Sequence, residues 1–486
     1  MNKGARLLEY SHKKDPLTRA FLWLVALVGV LPFGALLAYA HPALDDFAYA
    51  NQLLASGFSS TQQQIYAGWS GRYASTLWLT LANPLSYHCP TGQWMGGLAL
   101  LLLWWAALTA LARELLRPAG SWAEAALAGL LVLALSLAQL PSPAEGLYWL
   151  AGGYTYLVPA AGTIGLLAIL VRRQQQPSWL LTALAILLIL AVMGGNEINA
   201  ILLLTGLLVA PGRTARWPLL ATAALAIAVA WGAPGNFVRL HSMAHRPGLL
   251  AAVGQAGLAA GYCLLTWLGT GVLPLAALLV AGYLARHPAG TDPTSPLNRL
   301  TQRPWLLTIW LVGTLVMCFL LGYWVTGLVM PRRARNGVYA LFVVGWLLTA
   351  WAWGRWYWLR WPPPARWPGA LCGAVAGWLA LALLSDHNIT LRADRRGASS
   401  SALVQAYRDW LSGDAARYDQ QQRQRYAQLQ AGRPATKRLR LDPLRTEPLT
   451  LFYADISLNE QLWGNVAYGT YFGGRTVYVD TPARQH

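Results

Sequence analysis

The chain has 486 residues, of which 56% are hydrophobic and only 12% charged, about half the charged share of an ordinary soluble domain. That balance excludes a soluble globular enzyme, and the long Leu- and Ala-rich runs exclude a β-barrel, whose strands alternate apolar and polar residues over about ten positions. A net charge of +18 would raise nucleic acid for a soluble protein; beside apolar spans it describes a membrane protein with no nucleic-acid partner.

Lys3, Arg6, Lys13, Lys14 and Arg19 precede the first apolar stretch, 21–40, and place that end in the cytoplasm. The stretch is long and lacks a convincing cleavage site, so it reads as a membrane helix rather than a signal peptide. Apolar runs of span length then recur at 93–111, 122–140, 154–171, 178–194, 197–210, 216–232, 254–285, 305–327, 337–355 and 367–384, about eleven transmembrane helices in all. The 178–210 region also reads as a broken or re-entrant pair around Gly194-Gly195-Asn196-Glu197. The predicted organisation is a cytoplasmic N-terminus at 1–20, a transmembrane unit at 21–385 with a first outer loop at 41–92, and an extracytoplasmic tail at 386–486.

This register puts most basic loops in the cytoplasm: Arg113 and Arg117, Arg172-Arg173, Arg213 and Arg216, and the stretches at 286–303 and 355–366. Arg239, Arg246, Arg332, Arg333 and Arg335 fall outside, against the usual charge bias. Either they hold an anionic headgroup or pyrophosphate, or the helix count is off by one. In the tail, 400–430 reads as an amphipathic helix with Leu403, Tyr407, Trp410 and Leu411 on one face, followed by strand-like runs at 450–453 and 476–479. These predict a small α+β domain packed on an all-α polytopic membrane unit.

Cysteines at 89, 263, 318 and 372 show no CxxC spacing, hence neither a metal cluster nor a disulfide framework. Acidic residues are scarce between 20 and 385. Glu114, Glu124 and Asp292 fall on the cytoplasmic side, and Asp45, Asp46, Glu145 and Glu197 on the outer side. Carboxylates at a membrane boundary are costly and are functional candidates. Asp45-Asp46 follows the first span and opens a short helix; helix capping accounts for one of them but not for both. Glu145 lies among Tyr148, Trp149 and Tyr154, a pattern that suits either a sugar site or an interfacial belt. Glu197 interrupts two apolar runs. Trp69 and Arg72 lie in Trp-Ser-Gly-Arg, and Asn236 and Arg239 follow a helix end. Asn388-Ile-Thr390 matches a glycosylation acceptor, a pattern common by chance.

One span, then an acidic pair opening a long outer loop, resembles the GT-C superfamily of glycosyltransferases. Asp-Asp-Phe-x-Tyr with Trp-Ser-Gly-Arg, and in the tail Asp455-Ile456, Trp463-Gly464-Asn465 and Tyr471-Phe472-Gly473, most resemble a bacterial family of unknown function within that group. The resemblance implies a multi-pass enzyme of the bacterial inner membrane that takes a sugar from a polyprenyl-phosphate donor to a glycan, lipid or protein acceptor on the outer face. It makes Asp45 and Asp46 the catalytic pair. Trp69, Arg72, Glu145, Tyr148, Glu197, Asn236, Arg239, Arg332, Arg333 and Arg335 are then candidate substrate contacts. An aspartate pair also suits a divalent cation; many relatives do without one, so a metal stays open. The alternatives are a transporter or flippase of lipid-linked sugars and a structural partner in envelope assembly. A transporter predicts repeat symmetry around a midplane site, and no repeat is evident.

Overall fold

The computed structural model describes residues 16–209, 216–241, 247–361, 369–384, 401–431 and 438–480. Arg246 and Asn388-Ile-Thr390 lie outside them. The chain is an all-α, multi-pass membrane protein: six helices are long and apolar enough to cross a bilayer, or seven if a pair bent by 49° is one span. A helix occupies every predicted span.

The first stretch forms α1 (Pro16–Leu36), followed by α2 (Asp45–Ser56), α3 (Phe58–Gly68) and α4 (Tyr73–Leu81), which build the first loop. Then come α5 (Gln93–Leu115) and α6 (Trp122–Ala138), the latter capped by the Ser121 hydroxyl, which accepts from the Glu124 N–H. The chain passes through two π-helical turns, Ala144–Tyr148 and Gly153–Leu157, into α7 (Val158–Gln175). Next are α8 (Trp179–Met193), α9 (Glu197–Val209), α10 (Arg216–Trp231) and α11 (Pro234–His241), with α10 and α11 forming the bent pair. Helices α12 (Leu249–Leu268), α13 (Val272–Leu284), α14 (Pro304–Thr326), α15 (Arg332–Trp358) and α16 (Gly369–Leu384) complete the membrane unit.

Buried share separates the centre from the rim. The spans Leu150–Gln175 and Arg332–Trp358 are 61% and 67% buried, whereas α1, α12 and α14 are at 28% or below and present Phe21, Leu258 and Ile309 outward, as lipid-facing helices should.

The predicted single span 254–285 is two helices, α12 and α13, broken at Gly269–Gly271. Both run the same way along α15. Cys263 lies in the field of Arg335, Trp267 packs on Tyr339 and Phe342, the Trp346 indole donates to the Leu273 carbonyl, and Leu284 clusters with Trp351. The two helices therefore follow one another along α15.

In the tail the predicted helix 400–430 is α17 (Ala402–Leu411) and α18 (Asp414–Ala431), divided at Gly413, whose φ of +78° disfavours any side chain. The strands are β1 (Arg438–Arg440) and β2 (Thr476–Tyr478), paired in parallel, with α19 (Trp463–Tyr471) before β2. The predicted strand at 450–453 is a turn instead. The Phe452 and Pro448 backbones bond locally, and Thr450 N–H donates to Asp409. The tail shares one apolar core with the membrane unit: Leu403, Ala406, Tyr418, Leu451 and Phe452 join Phe33, Leu37 and Trp149.

Candidate functional site

The site forms where the first loop, the π-helical turns, α9, α11 and the start of α15 meet. Its geometry begins at Leu44, whose φ of 41° and ψ of −101° lie outside the regions open to a branched side chain, a strain of order 1–3 kcal/mol. Leu44 is wedged against Gly464 of the tail, where an added Cβ would meet its Cδ2 at 2.5 Å. This turn sets how α2 begins, and so where the two aspartates point.

They point apart. Asp46 is fully buried. One of its carboxyl oxygens accepts from the Ala151 N–H at 2.9 Å, and the other from the Ala43 N–H at 3.2 Å and from Gln93 Nε2 at 2.9 Å. Burial raises its pKa to about 7 despite these three donors. Asp46, one of the two expected catalytic residues, has its oxygens bound to the first loop, α5 and the segment between the π-helical turns. Asp45 is half-buried and has no hydrogen bond or ion pair among the described residues. Burial raises its pKa, and the nearby Arg333 guanidinium opposes the rise. Because the carboxyls diverge, the pair does not form a chelate, and no group of three or more His, Cys, Asp or Glu residues gathers among the described residues.

Two arginine groups flank Asp45. In the first, α4 docks on the link between α8 and α9. Ala74 N–H donates to the Gly194 carbonyl, Ser75 Oγ to that of Gly195, and the Tyr73 ring occupies the space a Gly194 side chain would need. Arg72, just before α4, thereby forms a bidentate pair with Glu197, with Nη2 at 2.7 Å from Oε2, while Arg239 of α11 reaches the other oxygen at 3.2 Å. The Arg72 guanidinium also lies 5.8 Å from the centre of the Tyr156 ring. About a quarter of the Arg72 side chain, 26%, stays open, so this group lines a recess rather than a sealed core.

In the second, Glu145 on the first π-helical turn accepts the Arg333 N–H at 3.1 Å and caps the start of α15. The Arg333 guanidinium lies 3.9 Å from Glu145, 5.4 Å from the centre of the Trp149 ring, and donates to the Tyr453 hydroxyl at 3.3 Å. Trp149 and Tyr453 stack with centroids 4.0 Å apart, so a tail residue completes this wall. Asp45 acts electrostatically on Arg333 and Tyr453 of this second group and on Tyr49, one turn further along α2.

Several predicted contacts fall elsewhere. The Tyr148 hydroxyl donates to the Phe33 carbonyl inside the core. The Asn236 side chain is spent on backbone, accepting from Gly71 N–H and donating to the Ala230 carbonyl. Arg335 donates to the Met330 carbonyl. Trp69 is 55% exposed and makes no ring contact among the described residues. Arg332 is the first residue of α15. Tyr49 and Tyr156 were not among the residues expected from the sequence, and Tyr453 was covered only by the strand-like run at 450–453. The spacing of four between Asp45 and Tyr49 was the available signal.

No family model matches the chain, and neither a curated protein nor a solved structure is significantly similar to it.

Proposed function

We propose that the protein is a membrane glycosyltransferase that moves a sugar from a polyprenyl-phosphate donor to an envelope acceptor, with Asp45 as general base. The observation that carries this reading is an unpartnered carboxylate near Arg333, with Arg72 and Arg239 near Tyr49 one turn along the same helix and each arginine held by a glutamate. In the reaction the acceptor hydroxyl gives its proton to Asp45 as its oxygen bonds to the anomeric carbon. The bond from that carbon to the donor phosphate oxygen breaks, and its electron pair leaves with the phosphate. Arg72 and Arg239 meet the charge that develops there. Glu197 fixes both guanidiniums beforehand, so little reorganisation is left for the reaction step. In this reading the Asp45 end of the bundle faces the outer side of the bacterial inner membrane, the N-terminus is cytoplasmic, the passages number about eleven, and the tail forms an extracytoplasmic domain.

The test is release of polyprenyl phosphate from a panel of polyprenyl-phosphate hexoses by protein in nanodiscs. Asp45→Asn should cut release at least about a hundredfold and leave the melting temperature unchanged. Asp46→Ala should lower the melting temperature, because three buried N–H donors lose their acceptor. Normal release by Asp45→Asn would end the proposal.

A further inference from the structure

Tyr49 is the second aromatic residue of α2, one helical turn after Asp45 and on the same face. It lies within the electrostatic reach of Asp45, Arg72, Arg239 and Tyr156, and so is close to both the carboxylate and the arginine pair. Its hydroxyl has no hydrogen-bond partner among the described residues. A half-buried phenol among charged groups ordinarily finds a partner; Tyr148 and Tyr73 donate to the carbonyls of Phe33 and Leu190. Arg72 likewise uses Nε and Nη2 on Glu197 and keeps Nη1 without a protein acceptor among the described residues. One phenolic O–H and one guanidinium edge are thus left unused in the same recess.

We infer that Tyr49 is a substrate-contacting residue whose O–H donates to a phosphate oxygen held by Arg72 and Arg239. This rests on the proposed transferase reading and adds to it the residue that links the phosphate to the base. On this inference the arginine pair takes the phosphate, Tyr49 donates to it, and Asp45 serves the acceptor. Burial pushes the Tyr49 hydroxyl up to about 12, so it stays a donor throughout the working pH range. An anion between Tyr49 and Arg72 also satisfies both groups at once, and it accepts a stronger, charge-assisted hydrogen bond from the free Arg72 edge than a neutral sugar hydroxyl would.

The experiment measures binding of undecaprenyl phosphate, and separately of uncharged undecaprenol, to the full chain in nanodiscs. Tyr49→Phe should weaken the phosphate about tenfold, leave undecaprenol binding as it was, and keep the melting temperature, because no protein hydrogen bond is lost. Tyr87→Phe, at an exposed tyrosine whose hydroxyl donates to the Leu81 carbonyl, should bind as the natural chain does. If the natural chain binds the phosphate and Tyr49→Phe binds it equally well, the inference fails and the transferase reading stands. If Tyr49→Phe weakens both lipids alike, the contact is not to phosphate and the inference fails. If the natural chain discriminates not at all between the two lipids, the transferase reading fails and this inference with it.

Discussion

Adjacent residues on a helix project about 100° apart, and at Asp45 and Asp46 that rotation separates a reactive carboxyl from a structural one. Burial raises the Asp45 pKa and Arg333 partly restrains it. A general base works when deprotonated, so transfer should fall as pH drops through this raised value, with an acid limb above the ordinary carboxylate range near ~4. Arg333→Gln removes the restraining charge and should move the limb to higher pH; a pH–rate profile whose limb stays in place, or moves down, would remove Arg333 from the field of the base. For Asp46 the raised pKa means that its contribution to stability is present in acid and is lost as pH rises through about 7. The sequence marked this acidic pair by its position after α1. It did not reveal which carboxyl faces the recess, because that depends on the Leu44 backbone, and Leu44 is held by Gly464 across more than 400 positions.

At the scale of elements, what was legible was apolar periodicity: a helix stands at each predicted span, and Gly413 and Gly269–Gly271 account for the two helices that are divided. The seating of the tail was less legible, because it depends on contacts far apart in the chain. His41 is 6% exposed and meets α18 through Asp419 at 2.9 Å and the Tyr426 hydroxyl at 3.1 Å, with Tyr418 edge-on and Arg423 on the far side of Asp419. Phe47 of α2 packs edge-on to Tyr468 of α19 with centroids 4.8 Å apart. Burial lowers the His41 pKa from 6.5, more than Asp419 raises it. A depressed pKa gives stability that is present above about 6.5 and lost as pH falls through the folded value. The natural chain should therefore lose more melting temperature between pH 7.5 and pH 5.5 than His41→Gln does. Equal losses would show that His41 stays neutral or unburied throughout. Phe47→Ala should loosen the same seam by about 3–5 kcal/mol at any pH, read as a lower denaturation midpoint in the same nanodiscs.

Across the whole molecule, the acidic residues of the membrane unit gather in two groups. Glu114 pairs with Arg117 and Arg172, and Glu124 meets Tyr283 and His287, at the end of the bundle opposite Asp45, Glu145 and Glu197. Arg333 thus belongs to the Asp45 end by its own contacts with Glu145 and Trp149. Which end faces outward is a separate matter and decides whether a lipid-linked donor on the outer leaflet can reach Asp45. Leu328, 67% exposed before α15, and Leu359, 70% exposed after it, mark the two ends. In a background with all four native cysteines replaced, Leu328→Cys should react with a membrane-impermeant maleimide on intact cells, and Leu359→Cys only after lysis. The opposite pattern would put Asp45 and its arginines on the cytoplasmic face, where a nucleotide-activated sugar rather than a flipped lipid donor would meet them, and the proposed reaction would have to be abandoned for this site.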